Sequence, residues 1–140
     1  MWFRRKARRG AATVEFAIVA PIFFFSIIIP LVEFSRAMTV ASGLAASARV
    51  GCRAGVLPGS NNSSVQTAVT DNLTALGIRN ANAAVVKVNG GEADVSSAVQ
   101  GDAISVTISV RYENVSWLPI SLSKYLSNVT LSSTQVMRRE

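Results

Sequence analysis

The sequence predicts an α+β fold with a long N-terminal helix, a second short helix and a small antiparallel sheet of about three strands. Three observations predict it. Residues 16–32 form an apolar run in which Ser26 is the only polar side chain. A stretch rich in alanine, serine and glycine follows, with apolar residues at helical spacing. Toward the C-terminus, apolar and polar residues alternate strictly, which is typical of strands with one covered face.

The first element is a membrane-spanning helix over residues 11–32. Its length is close to the ~20 residues that cross a hydrocarbon core as a helix. Basic residues precede it without an offsetting acid, and cationic flanks of this kind stay on the cytoplasmic side of a membrane. These residues are Arg4, Arg5, Lys6, Arg8 and Arg9. The pattern predicts a single-pass protein with a cytoplasmic N-terminus.

The charge and the residue types exclude several functions. The net charge is +6, and removing the five basic residues of the N-terminus leaves 6 − 5 = +1 for Gly10 onward. A nearly neutral folded part argues against nucleic-acid binding. The sequence has no histidine and a single cysteine, Cys52, which removes His-based catalysis and clustered metal ligands. We therefore expect a non-enzymatic protein with no cofactor, metal or small-molecule substrate. Cys52 is interpreted as a small apolar residue on a helix face.

Three interpretations of the N-terminus remain open at this point. A signal peptide has an apolar region of about 7–15 residues, but this run is longer, and the nearest Ala-x-Ala pattern starts far downstream at Ala46. A plain signal anchor explains the charges and the span, but not Glu15 at the start of the apolar run. Cleavage after Gly10 would free the α-amine of Ala11. Glu15 could then neutralise the amine of a neighbouring subunit, because pairing makes a charge inside a membrane tolerable.

The stretch RRGAATVEFAIVAP (residues 8–21), followed by apolar residues and by EFSR at residues 33–36, resembles the TadE-like family. Proteins of this family are minor pilins, or pseudopilins, of the Tad (Flp) branch of type IV pili, the tight-adherence apparatus. The resemblance is specific over residues 8–36 and looser afterwards. It implies a pilin-like fold and a role in assembling a pilus used for adhesion.

The resemblance also implies processing by a prepilin peptidase. Gly10 would be the last leader residue, Ala11 the new N-terminus, and Glu15 and Phe16 the recognised pair. The implied location is the bacterial inner membrane, with the C-terminal domain on the periplasmic side and other minor pilins and the major pilin as partners. The alternative is a signal-anchored binding module of the cell envelope that has no connection with pili.

The predicted domains are a basic leader at 1–10, the transmembrane helix at 11–32, its continuation outside the membrane at 33–57, and a small α+β domain at 58–140. Pro21 and Pro30 predict kinks or local breaks in the helix. Pro58 and Gly59 predict its end. The predicted packing stripe comprises Phe34, Met38, Ala41, Ala45, Ala48 and Cys52.

The second helix is predicted from Ser64 to Leu76. Ser63 and Gln66 have capping-box spacing, and Gly77 is a natural stop. Its apolar stripe, interpreted as core packing, comprises Val65, Val69, Leu73 and Leu76.

Strands are predicted at 84–89, before a turn at Gly90-Gly91, then at 103–112 and at 129–137. The second is the clearest, with one apolar face formed by Ile104, Val106, Ile108 and Val110. The connection 114–126 carries an unusual hydrophobic load, which predicts either a cap over the small core or a partner surface. The candidate surface residues are Trp117, Leu118, Ile120 and Tyr125, and Leu122 and Leu126 add to the load.

Overall fold

The computed structural model describes residues 9–117 and 128–140, with side chains from Gly10 onward. It confirms the predicted α+β class: helix α1 spans Arg9–Val56, helix α2 spans Asn62–Ala75, and the strands are β1 (Val85–Val88), β2 (Ala103–Arg111) and β3 (Thr130–Arg138). Short 3-10 turns occupy Val95–Ser97 and Tyr112–Asn114. The chain forms two compact units, Met1–Phe34 and Ser35–Glu140.

The described part of the first unit is helical from Arg9 onward. Pro21 and Pro30 both lie inside α1, so the predicted local breaks are not found. A proline removes one helical N–H donor, but the flanking hydrogen bonds are sufficient to continue the helix. The side chains of residues 10–32 are exposed, apart from the partly buried Ala20 and Ile28.

The second unit has one hydrophobic core, which lies between the sheet and the helices. Residues of α1 and α2 and the inward face of β2 all contribute to it. The fully buried side chains of this core include Val40, Leu44, Cys52, Val65, Val95, Ile104, Val106, Ile108 and Val110. Burial of such apolar surface is the main stabilising contribution to a domain of this size.

Glycines allow α1 to approach its neighbours closely. A Cβ atom on Gly51 would lie 3.2 Å from Cγ1 of Val106, and one on Gly55 would lie 3.3 Å from Cγ2 of Ile104. A Cβ on Gly43 would lie only 2.6 Å from Cδ1 of Ile78. The buried face of this helix therefore depends on residues without bulk.

The predicted packing stripe of α1 is wrong for its two large members. Phe34 and Met38 are 65% and 58% exposed, whereas Ala48 and Cys52 are buried as expected. Ala41 and Ala45 are partly buried. The buried face instead follows Val40, Leu44, Ser47, Gly51 and Gly55. It is displaced by about one residue, or ~100° about the helix axis, because glycine and serine at the closest contacts carry no hydrophobic signal.

The start of α2 differs from the predicted capping box. Asn61, rather than Ser63, is the N-cap: its side chain accepts from the Ser64 backbone N–H at 2.8 Å, and Ser64 Oγ accepts from the Asn61 N–H at 3.1 Å. Val65, Val69 and Leu73 are buried as predicted, but Leu76 is the half-exposed C-cap. Gly77 follows with a φ of +70°, a conformation that favours glycine.

The sheet is antiparallel and three-stranded, as the sequence predicts, and its strand order is β1-β2-β3. Asn89 and Gly90, with φ values of 49° and 82°, form the turn after β1, one residue earlier than expected. Strand β3 pairs with β2 over nine residues, from Arg111↔Thr130 to Ala103↔Arg138, without a bulge. The core-facing side chains of β2 are fully buried, but those of β3 are only partly buried.

Candidate functional site

The residues of the predicted processing site all lie at the beginning of α1. Gly10, Ala11, Glu15 and Phe16 are exposed, and Phe16 is 73% exposed. Ala11 and Glu15 are four residues apart, so they occupy the same helix face one turn from each other. An α-amine at Ala11 and the carboxylate of Glu15 would therefore be presented on one side of the helix. Arg4, Arg5, Lys6 and Arg8 lie outside the described residues, as does the side chain of Arg9.

Glu15 is the one ionisable residue in the sequence between Gly10 and Val32. No basic side chain of the described ranges lies within salt-bridge distance of it. A carboxylate without a cationic partner is costly in hydrocarbon surroundings. An assembly that supplied a neighbouring amine would remove this cost.

Gly10 has no packing requirement in the described chain. A Cβ atom built on it would meet nothing within 4 Å. The fold therefore accepts alanine at this position, and a requirement for glycine would come from an external factor such as an enzyme.

The apolar part of α1 is compatible with a single-pass membrane anchor. Among the described residues, one helix, Gly10–Val56, is long and apolar enough to cross a membrane, with a mean hydropathy of 2.3 in its most apolar window. The hydroxyl of Ser26 in this run donates to the Phe23 carbonyl at 2.8 Å. Its polar group is thus satisfied within the helix, as a lipid environment demands.

The predicted partner surface is described only at Trp117. Its indole is 70% exposed, and the guanidinium carbon of Arg36 lies 5.3 Å from its ring centroid, within cation–π range. Arg36 Nε also donates to the Val115 carbonyl at 3.3 Å. Leu118, Ile120 and Tyr125, like Leu122 and Leu126, lie outside the described residues.

Sequence reasoning missed the proximity of Arg36 to Trp117. The two residues are far apart in the sequence, and no motif links them. This pair is an aromatic and cationic feature of the second unit, with Trp117 exposed and Arg36 partly buried, and both residue types are enriched in protein interfaces.

Cys52 lies in the core, where its thiol donates to the Gln135 carbonyl at an Sγ–O distance of 3.3 Å. Burial raises the pKa of this thiol, which lowers its reactivity. Among residues 9–117 and 128–140, no group of three or more His, Cys, Asp and Glu side chains lies close enough together to hold a metal ion.

Comparison with known protein families gives a match. The family model described as TadE-like protein matches residues 10–53, which covers α1 from the glycine before the predicted cleavage point almost to its end. The resemblance predicted from the N-terminal motif is thereby confirmed. Neither the curated proteins nor the solved structures yield a match.

Proposed function

We propose, from the TadE-like match over residues 10–53, that this chain is a minor pilin that takes part in assembling a Tad (Flp) pilus for adhesion. The match associates the chain with Tad pilus systems and with a membrane. The subunit role is our interpretation of the N-terminal geometry. In this role the protein has no catalytic activity and no cofactor.

The observation that carries the proposal is the position of Glu15. It stands alone as an ionisable residue in an exposed apolar helix, one turn after Ala11 and five residues after Gly10. A plain anchor has no use for this acid. An assembling helix does, because each carboxylate can pair with the α-amine of a neighbour inside a medium where unpaired charges are disfavoured.

The proposed sequence of events follows from these residues. The basic leader stays in the cytoplasm during insertion into the inner membrane, and the domain that follows the span is exported to the periplasmic side. A prepilin peptidase cleaves the Gly10–Ala11 peptide bond and leaves an amine on Ala11. The exposed apolar side chains of residues 11–32 then pack laterally against those of other minor pilins and the major pilin. Pairing between Glu15 and a neighbour's amine fixes their relative height.

The N-terminal sequence and the intact mass of the protein from native membranes test this proposal. We expect a chain that begins at Ala11. A chain that retains the basic leader would reject the proposal and favour a signal-anchored envelope binding module. Cleavage near Ala48 would also reject it, since it would release the second unit from the membrane.

A further inference from the structure

The two edges of the sheet differ in their accessibility to a further strand. On the inner side of β1, the Asn89 N–H donates to the Ala103 carbonyl at 2.8 Å. With the observed register, the backbone groups of Val85 and Lys87 therefore point to β2. Those of Val86 and Val88 point away from the sheet. The outward N–H and C=O of Val88 are taken by Gly91, with both N–O distances at 2.9 Å.

The other end of the β1 edge is also closed. The Ala84 N–H donates to Oε1 of Gln66 at 3.0 Å, and Nε2 of Gln66 donates to the Ala84 carbonyl. The side-chain amide of Gln66 thus replaces a peptide group of a neighbouring strand. Within residues 9–117 and 128–140, only Val86 keeps outward backbone groups without a partner on this edge, which is too few for a strand to pair with.

Among the described residues, none pairs with the outer edge of β3. Val129 and Arg139, which flank it, make hydrogen bonds to Tyr112 and Asp102 at 2.9 Å each. Because the register is continuous, alternate residues between them bond to β2. The other residues direct their N–H and C=O groups away from the sheet. These outward residues are Thr130, Ser132, Thr134, Val136 and Arg138, all of them exposed.

Strand β3 lacks several of the devices that protect a free edge. Proteins commonly block such edges with proline, lysine, a bulge or a very short strand. The sequence TLSSTQVMR has no proline and no lysine, and it pairs over nine residues without a bulge. A long regular edge of this kind is a template for strand addition.

The charges around this edge indicate what could pair with it. Strand β3 contains no acidic residue, Arg138 is exposed at one end, and Arg111 is exposed opposite its other end, next to Glu113 at 3.5 Å. The central positions carry hydroxyl groups. A neutral or acidic segment is therefore favoured over a basic one.

A second copy of this chain fits the edge poorly. Strand β3 contains no acidic residue, so antiparallel pairing of two β3 strands would offer no carboxylate to Arg138 of either copy. Parallel pairing would instead bring the arginines at 138 and 139 of both copies together.

We infer that β3 is the docking edge for an extended, neutral or acidic segment of a different pilin-type subunit, which adds a fourth strand beside β3. This inference rests on the proposed function, since it takes its partner from the same assembly. The contact lies outside the membrane and is separate from the helix packing of residues 11–32.

A photo-cross-linking amino acid at position 132, 134 or 136 of the full chain, in cells that produce the pilus system, tests the inference. We expect cross-links to another pilin-type subunit. When the label moves by two residues along β3, the site of cross-linking on the partner should also move by two residues. Only strand pairing gives this pattern. The same label at Val85, exposed beside the closed β1 edge, is the matched control and should give no such series.

Proline provides a second measurement. Proline at Ser132 or Val136 removes an N–H that points away from β2, so we expect the free energy of unfolding to change little and the cross-links from position 134 to disappear. Ser132→Ala should retain them. Three outcomes would overturn the inference: no cross-links at all, cross-links only to a second copy of this chain, or cross-links that lack the two-residue progression. If the chain nevertheless begins at Ala11, the proposed function stands and only the docking edge fails.

Discussion

Gly51 of α1 and Val69 of α2 touch so closely that a Cβ atom on Gly51 would lie 2.6 Å from Cγ2 of Val69. Glycine normally weakens a helix interior by ~1 kcal/mol relative to alanine. Here the missing methyl group allows the two helices to pack over Val106.

We expect Gly51→Ala to destabilise the second unit by about 1–3 kcal/mol, because overpacking outweighs the gain in helix propensity. Urea unfolding of the full chain in detergent, followed by fluorescence, measures this change. Ser42→Ala, at an exposed position of the same helix, is the control and should alter stability by less than ~0.5 kcal/mol. An increase in stability on Gly51→Ala would show that the helices can separate without cost.

This contact also shows what sequence reasoning could find. The strict alternation of β2 and the uninterrupted apolar run predict their elements, because each pattern has one dominant period. The packing face of α1 could not be predicted, since Gly51 and Gly55 show no hydrophobicity and the larger Phe34 and Met38 are exposed. At the candidate site, Gly10 and Glu15 are close in the sequence, so their spacing can be recognised without a structure. The Arg36–Trp117 contact and the open β3 edge depend on tertiary structure.

Gly10→Ala should impair processing and leave the second unit folded. The helix has room for the added methyl group, with nothing within 4 Å, so an effect would arise at the peptidase. We expect the intact mass to shift from that of a chain starting at Ala11 to that of the full chain in most molecules. Ala12→Gly, close by but beyond the cleaved bond, is the control and should be processed normally. Complete processing of Gly10→Ala would contradict the assigned role of Gly10.

Glu15→Gln should leave folding intact and reduce processing of the N-terminus to some extent. It should reduce pilus assembly strongly. Glutamine keeps the size of the side chain but removes the charge that pairs with a neighbour's amine, which is left unpaired in the membrane. Counting pili by electron microscopy measures the effect, and the processed fraction by mass separates it from a cleavage defect. Glu15→Asp retains the charge and should retain part of the assembly. An unchanged number of pili with Glu15→Gln would rule out the pairing.

Gln66→Ala should destabilise the second unit by about 1–3 kcal/mol, because the N–H and C=O of Ala84 both lose their partner. It should also open the edge of β1 to other chains. Urea unfolding measures the first effect, and sedimentation of the detergent-solubilised chain measures association. Thr67→Ala, at an exposed position of the same helix, is the control. Unchanged stability would mean that water replaces the amide at this edge.

Asp102 makes the stability of the second unit depend on acid pH. The Val99 N–H and the Asn89 side-chain amide donate to its carboxylate at 2.8 Å and 2.7 Å. These hydrogen bonds, with a smaller contribution from the charge of Arg139, hold its pKa below the ordinary value of 3.8. The folded state therefore prefers the ionised carboxylate. Its stabilisation is present above the pKa of the unfolded chain and is lost as pH falls through the folded value.

We expect the melting temperature of the full chain to fall as pH decreases below about 4, and to fall less steeply in Asp102→Asn. Part of the slope should remain in this variant, since hydrogen bonds from Ser96 also lower the pKa of Asp94. Thr67→Ala, an exposed substitution that removes no titratable group, is the control and should keep the wild-type slope. Equal slopes in the wild type and Asp102→Asn would show that the turn from Val99 to Asp102 opens without cost to the fold.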